Sequence, residues 1–289
     1  MTASSPVAPK PLLTIEPRPG WVPLNLREIW QFRDLLFSLA GRDIRLRYRQ
    51  TALGVSWVVL QPLIAGGLFS LVFGILAKMP SGDLPYFVLS YTGVLAYNVF
   101  SNTLNKAGIC LVGNAQLVSK VYFPRMVLPL STALSTLLDF AVGLIVLAIL
   151  MGVYHTHIHL GAGLLLAPVM IAIILLMALG AGLWASALTV SYRDVQYVLP
   201  VLLQFVMYAT PAGYKLSVVK DAAKHHPHLF TLYMLNPLSS VIEAFRWACL
   251  GEGELHWGWI TYSAACALVL MLLGSIAFRR MERRFADVI

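Results

Sequence analysis

The sequence predicts an all-α integral membrane protein with six transmembrane helices, an N-terminal amphipathic interface helix and an external re-entrant hairpin before the last span. Three observations predict it. Hydrophobic residues fill 58% of the 289 positions and charged residues only 12%, about half of the ~25% that covers a water-soluble domain. The charges cluster, leaving uncharged runs of the ~20 residues that a spanning helix needs. Finally, Lys and Arg are distributed unevenly on the two sides of those runs, and that bias orients membrane helices.

Residues 1–24 read as a disordered, proline-rich tail: the first 23 hold six prolines and no apolar core, unlike a secretory signal. Residues 25–50 read as an amphipathic interface helix. Asn25 and Glu28 have capping-box spacing. Ile29, Phe32, Leu36 and Leu39 recur at helical spacing, with Arg27, Arg33, Asp34, Arg42 and Asp43 mostly off that face, so the helix is expected to lie in the membrane surface. Residues 51–289 form the six-span domain. Its spans are expected at Thr51–Ala77, Leu84–Asn105, Met126–Met151, Leu164–Val190, Val195–Tyr214 and Leu255–Phe278. Tyr154–His159 is a polar break between the third and fourth spans. The stretch 229–250, split by Asn236-Pro237, is a poor span and reads as a re-entrant or interfacial hairpin, tolerated where protein buries it.

Sixteen of the 21 Lys and Arg residues fall on one side: eight before the first span, Lys106, Lys120 and Arg125 in the next loop, Arg193, and Arg279, Arg280, Arg283 and Arg284 in the C-terminal tail. The other side holds Lys78, Lys215, Lys220, Lys224 and Arg246. This asymmetry places both termini in the cytoplasm.

Several chemistries are not indicated. The net charge of +8 sits at the ends of apolar segments, which reads as orientation and headgroup contact with membrane lipids rather than nucleic-acid binding. The sequence contains no phosphate loop, dinucleotide fingerprint, HExxH or nucleophile elbow. Cys110, Cys249 and Cys266 are far apart and read as packing residues. His155, His157 and His159 alternate at a spacing that points apart on a helix, so no metal site is expected. Asp139 is a candidate by its depth. No second charge is expected in a span interior, so Asp139 reads as hydrogen-bonded to a neighbouring helix, and an ion-driven transporter is disfavoured.

Four segments then resemble one family. Arg45-Leu-Arg-Tyr-Arg-Gln-Thr-Ala-Leu-Gly-Val-Ser-Trp57, followed by Gln61-Pro62, is similar to the start of span one in ABC-transporter permeases that export polysaccharides, including O-antigen. Asn114–Arg125 resembles their cytoplasmic loop between spans two and three. Ser191-Tyr-Arg-Asp194 resembles the loop between spans four and five, and Tyr233–Leu238 the external hairpin. The likeness runs in order over about residues 25–280.

That resemblance implies a bacterial inner-membrane permease that is not itself an enzyme. The working unit would contain a second copy of the chain and two ATP-binding cassette subunits, with a lipid-linked glycan as cargo. This chain would bind no cofactor, since ATP and Mg would sit on the ATPase subunits. Cytoplasmic coupling helices would receive the force through Asn114, Gln116, Leu117, Lys120, Val121, Tyr122 and Arg125, with Tyr192, Arg193 and Asp194 as a second contact. An ordinary amphipathic connector has the same composition. Arg45, Arg47 and Arg49 suit lipid phosphate, to which arginine's planar fork is matched, and equally suit a positive-inside anchor. Tyr91, Tyr97, Phe100, Phe205 and Tyr208 are candidate channel-lining aromatics for sugar C–H groups; tyrosines near span ends also serve as interface anchors. The rival readings are the same permease type with other cargo (teichoic acid, capsule, lipid or drug), a self-powered flippase, and an intramembrane glycan enzyme.

Overall fold

The computed structural model describes residues 26–48, 56–156 and 162–288. The predicted tail, the Asn25 cap, Arg49, and His157 and His159 lie outside the described residues. Every regular element among the described residues is a helix.

The interface segment forms α1 (Leu26–Gln31) and α2 (Arg33–Tyr48). Its apolar face does not lie bare: Leu39 is buried and Ile29, Phe32 and Leu36 pack on a cluster that includes Leu111, Val118, Phe123 and Leu128. The amphipathic pattern is therefore met by protein along this face. Helix α3 (Ser56–Phe69) continues as a π-helical turn over Ser70–Leu76.

The centre of the bundle is α7 (Ala162–Ser191), packed between α4 (Tyr86–Gly113) and α12 (Trp257–Val288). Small residues allow this. A Cβ on Gly274 would overlap the Gly180 carbonyl, so α7 and α12 touch backbone to backbone, the close approach that membrane helices use in place of a hydrophobic drive. Helix α6 (Val127–Val153) packs on the other side of α4. Its buried hydroxyls turn inward on their own helix: Ser131, Thr132, Ser135 and Thr136 each donate to a carbonyl three or four residues back. This satisfies them where no water is at hand.

Among the described residues, four helices are long and apolar enough to cross a membrane: Ser56–Leu76, Val127–Val153, Leu165–Ser191 and Trp257–Glu282. The expected second and fifth spans correspond to α4 and α8 (Val195–Tyr208). Helix α4 has ample length at 28 residues but is interrupted by Asn and Thr. Helix α8 is apolar but only 14 residues, about 21 Å at 1.5 Å per residue. It stops at Tyr208 rather than the expected Tyr214, because the residue before Pro211 is pushed out of helical geometry.

Beyond α8 come α9 (Leu216–Ala222), α10 (Pro227–Met234) and α11 (Pro237–Leu250). The last two meet at Asn236-Pro237, where the Asn236 side chain accepts the Leu238 amide at 3.2 Å and caps α11. Helix α11 is largely buried against α7, α12 and α4, and Gly251, at φ 73, ends it in the left-handed conformation.

Candidate functional site

Both predicted coupling loops lie at one end of the bundle. Near the end of α4, Gly108 packs against Ala185 of α7 and Leu199 of α8, and Cys110 Sγ lies 3.7 Å from Ser186 Oγ. The first loop carries α5 (Ala115–Lys120). Asn114 holds it in place: its Oδ1 accepts from Arg42 at 2.6 Å and its Nδ2 donates to the Cys110 carbonyl at 2.8 Å. Arg125 donates to the Glu282 carbonyl of α12 at 2.7 Å. Val118 and Phe123 are buried and Leu117 is half-buried in the cluster beneath α2. What remains on the surface is Gln116, Lys120, Val121 and, most of all, Tyr122 at 72% exposure. Tyr192, Arg193 and Asp194 form the exposed turn between α7 and α8, closed by Val195 N–H to the Tyr192 carbonyl at 3.2 Å. The predicted residues thus divide into a rigid anchor (Asn114, Leu117, Arg125) and a free surface (Gln116, Lys120, Val121, Tyr122 with 192–194). Arg45 is exposed and donates to the Gly41 carbonyl. Arg47 lies in α2.

The five aromatics fall into two groups. Phe205 and Tyr208 are exposed on α8, of which only Leu203 is buried. Tyr91, Tyr97 and Phe100 are buried within the chain. Tyr91 donates to the Gly143 carbonyl of α6 at 3.1 Å, and Tyr97 donates to the Leu203 carbonyl of α8. Their hydroxyls tie α4 to its neighbours.

Asp139 is not a lone intramembrane carboxylate, contrary to the sequence expectation. Because α4 runs on to Gly113, Lys106 belongs to the helix rather than to the loop, and its Nζ lies 2.9 Å from Asp139 Oδ2 and 3.3 Å from Thr136 Oγ1. The pair borders a cavity of about 360 Å³ between α3, α4 and α6. Asn98, Asn102 and Asn105 also line it. Their i, i+4, i+7 spacing puts them on one helix face, a stripe marked in the sequence by neutral amides rather than by charges or aromatics.

A second buried pair was also missed. Arg246, counted by sequence among the cations of the outer side, is fully buried in α11 and is paired with Glu243. Its guanidinium also donates to the carbonyls of Pro211 and Ala212, at 2.7 and 3.2 Å. Their i,i+3 spacing was the available signal. Next to them, outside the bundle, Lys215 meets Glu252 at 2.5 Å and Lys220 meets Glu254 at 2.7 Å. The hydrogen bond from Lys220 holds the Glu254 carboxyl below the usual carboxylate range. No group of three His, Cys, Asp or Glu side chains suited to a metal ion gathers among the described residues.

This arrangement of two loops at one end, a buried charged latch at the other and a polar cavity between helices has relatives. The profile of the ABC-2 type transporter family matches residues 34–250. The O-antigen export system permease protein RfbA of Myxococcus xanthus is 29% identical over 269 residues, covering 91% of this chain and 98% of that protein. The protein of the same name from Klebsiella pneumoniae is 24% identical, over 89% of this chain and 95% of its own length. The polysialic acid transport protein KpsM of Escherichia coli is 27% identical over 85% and 92%. With three-quarters of its length matched to the profile and all of the elements above inside or beside that match, the chain belongs to the ABC-2 type transporter family.

Proposed function

We propose that this chain is the transmembrane subunit of an ATP-driven exporter that moves a lipid-linked polysaccharide, of the O-antigen kind, across the bacterial cytoplasmic membrane. The observation that carries the reading is the near full-length similarity to permeases named for O-antigen export and polysialic acid transport. The chain crosses the membrane six times, with α4 and α8 as second and fifth spans and both termini in the cytoplasm. Two copies pair, and two ATP-binding cassette subunits, which carry the ATP and Mg, dock on the loop surface formed by Gln116, Lys120, Val121, Tyr122 and 192–194.

The fold supports how force would pass. A push on Tyr122 reaches α5, and Asn114 and Arg125 hand it to α2 and α12 through the contacts given above. The exposed apolar faces of α3 and α8, with Ile64, Leu68, Phe205 and Tyr208 in view, supply the surfaces for the second copy and the conduit. Phe205 and Tyr208 present ring faces to passing sugars. Tyr91, Tyr97 and Phe100 stand behind that wall and meet cargo as the helices part. Arg45, Arg47 and Arg49 receive the lipid phosphate at the way in.

The test is purification of the tagged chain from its own membranes, followed by reconstitution. Recovery of an ATPase subunit in equal amount, and glycan transport that needs that subunit and ATP, are the expected results. Transport of glycan by the lone chain would overturn the proposal in favour of a self-powered flippase, and ATP-dependent transport of a non-glycan cargo would overturn the substrate. Single cysteines at positions 120 and 224 should label from opposite sides; labelling from the same side would overturn the topology.

A further inference from the structure

We infer that the cavity between α3, α4 and α6 is a saccharide-binding subsite that takes neutral, hydroxyl-rich sugar rings of the cargo. The inference rests on the glycan reading above and names where in the protomer the sugar is held.

The cavity's chemistry points to hydroxyls. Gln61 joins Asn98, Asn102 and Asn105 on its wall. None of these four carboxamides has a side-chain hydrogen-bond partner among the described residues. Each offers both donors and an acceptor, and a carboxamide left unmatched inside a membrane protein is costly. Four such groups facing one space need a partner that both donates and accepts at several points. A sugar ring does so, as does a file of waters when no sugar is bound. Asp139 adds a carboxylate acceptor and Lys106 an ammonium donor at the same wall. Trp57, 52% exposed, stands beside them, and its flat apolar face suits sugar C–H groups while its ring nitrogen stays available.

The same features argue against a phosphate headgroup. Among the described residues Lys106 is the single cation on the wall, and Asp139 pairs with it at 2.9 Å. An anion would meet the Asp139 carboxylate beside that ammonium. At about 360 Å³ the space lies at the lower end of the ~300–1,000 Å³ of small-molecule sites, which fits a ring or two and excludes a whole chain. The site is thus a stop on the path, where a few residues of the glycan are held while the remainder lies elsewhere.

The experiment uses the intact permease–ATPase complex in cells that make the glycan. A benzophenone amino acid is placed at Gln61 on the cavity rim, at Phe205 on α8, and at Ile145 on the exposed apolar face of α6. After irradiation, mass spectrometry of the purified chain reads covalently attached sugar. A sugar adduct at 61, absent at 145 and reduced at least tenfold by N98L/N102L with the ATPase still bound, is the expected result. Adduct at 205 with none at 61 overturns the subsite and leaves the glycan reading standing. Sugar at none of the three positions overturns both. Phospholipid without sugar at 61, or a sugar adduct indifferent to N98L/N102L, also overturns the subsite; the milder N98A/N102A pair replaces it if the leucine variant fails to reach the membrane.

Discussion

Replacing Arg246 with Met should loosen the join between α8 and α11 more than any other single side-chain change in that region. Arg246 is fully buried, and its guanidinium holds three partners: the Glu243 carboxylate and the carbonyls of Pro211 and Ala212. Those carbonyls belong to the non-helical stretch that follows α8, so they have no helical donors to fall back on. Met fills similar volume, and the loss is therefore electrostatic rather than a cavity. Breaking a buried pair by removing one partner costs about 3–5 kcal/mol. Glu243 limits the penalty by taking up a proton, because a buried carboxyl sheds its charge when its partner goes, but the two carbonyls remain short of a donor at about 1–3 kcal/mol each. A figure of about 4 kcal/mol follows. Domains of 150–250 residues lose about 2–4 °C per kcal/mol, so the purified complex should melt on the order of 10 °C lower.

The double variant R246M/E243M separates the ion pair from the latch it makes. Swapping a buried pair for well-packed apolar groups is close to neutral, so the double variant should recover the part due to Glu243 and leave the part due to the carbonyls. The assay is the fraction of complex that stays monodisperse after a temperature series, run on the wild type, both singles and the double. A single R246M that melts within 2 °C of wild type, or a double no more stable than R246M, would refute the reasoning.

Three further outcomes follow from the same geometry. A Cβ on Gly93 would overlap the Ala212 carbonyl oxygen and Arg246 Nη2, so G93A should reproduce the R246M defect or worsen it; G152A, with nothing within 4 Å, should melt as wild type. Tyr122 makes its side chain available without supporting the fold, so Y122A should weaken ATPase co-purification by about tenfold or more, an interface anchor being worth ~2 kcal/mol, with unchanged melting; L117D should lower both, since Leu117 also packs beneath α2. Glu254 has its carboxyl lowered by the Lys220 hydrogen bond, so its stabilising contribution is present above the ordinary carboxylate range and is lost as pH falls through the depressed value. Both side chains are half exposed, which limits the effect to within about 1 kcal/mol, and the small difference in melting between E254Q and wild type at neutral pH should vanish under strong acid.

What the sequence disclosed, and what it hid, divides along a physical line. Apolar runs, broken by a charge only at Asp139 in α6, gave the locations of α3, α6, α7 and α12, because a helix facing lipid must be apolar over most of its length. The break at Asn236-Pro237 was legible because Pro dictates it locally. The short α8 was misread by six residues, since Thr210-Pro211 lies in an apolar run that composition alone continues. The paired charges were hidden because a lone Lys at the end of an apolar segment and an Arg on an amphipathic one look like surface groups. Lys106 finds Asp139 33 residues away, and Arg246 finds the 211–212 carbonyls through a loop and two helices.

Those pairs also sharpen the meaning of the polar groups that are left. In a low-dielectric interior a charge or amide without a partner is expensive, and this chain satisfies many such groups elsewhere. The hydroxyls of α6 turn back on their own carbonyls, Asn236 bridges Ala209, Thr210 and its own helix start, and Arg246 is matched to three acceptors. Single buried atoms such as Tyr86 OH, Thr103 Oγ1 and Ser239 Oγ also lack a partner, but these four carboxamides, without side-chain partners among the described residues, stand together on one wall. Packing gives no reason for it, because Leu at 98, 102 and 105 would complete an apolar α4 and make it an ordinary spanning helix. The cost of keeping those amides is the cost of keeping a wet, sugar-compatible surface inside the membrane. On this argument N98L/N102L should stabilise the isolated complex while lowering export; a variant that is both less stable and export-competent would show that the stripe serves the fold.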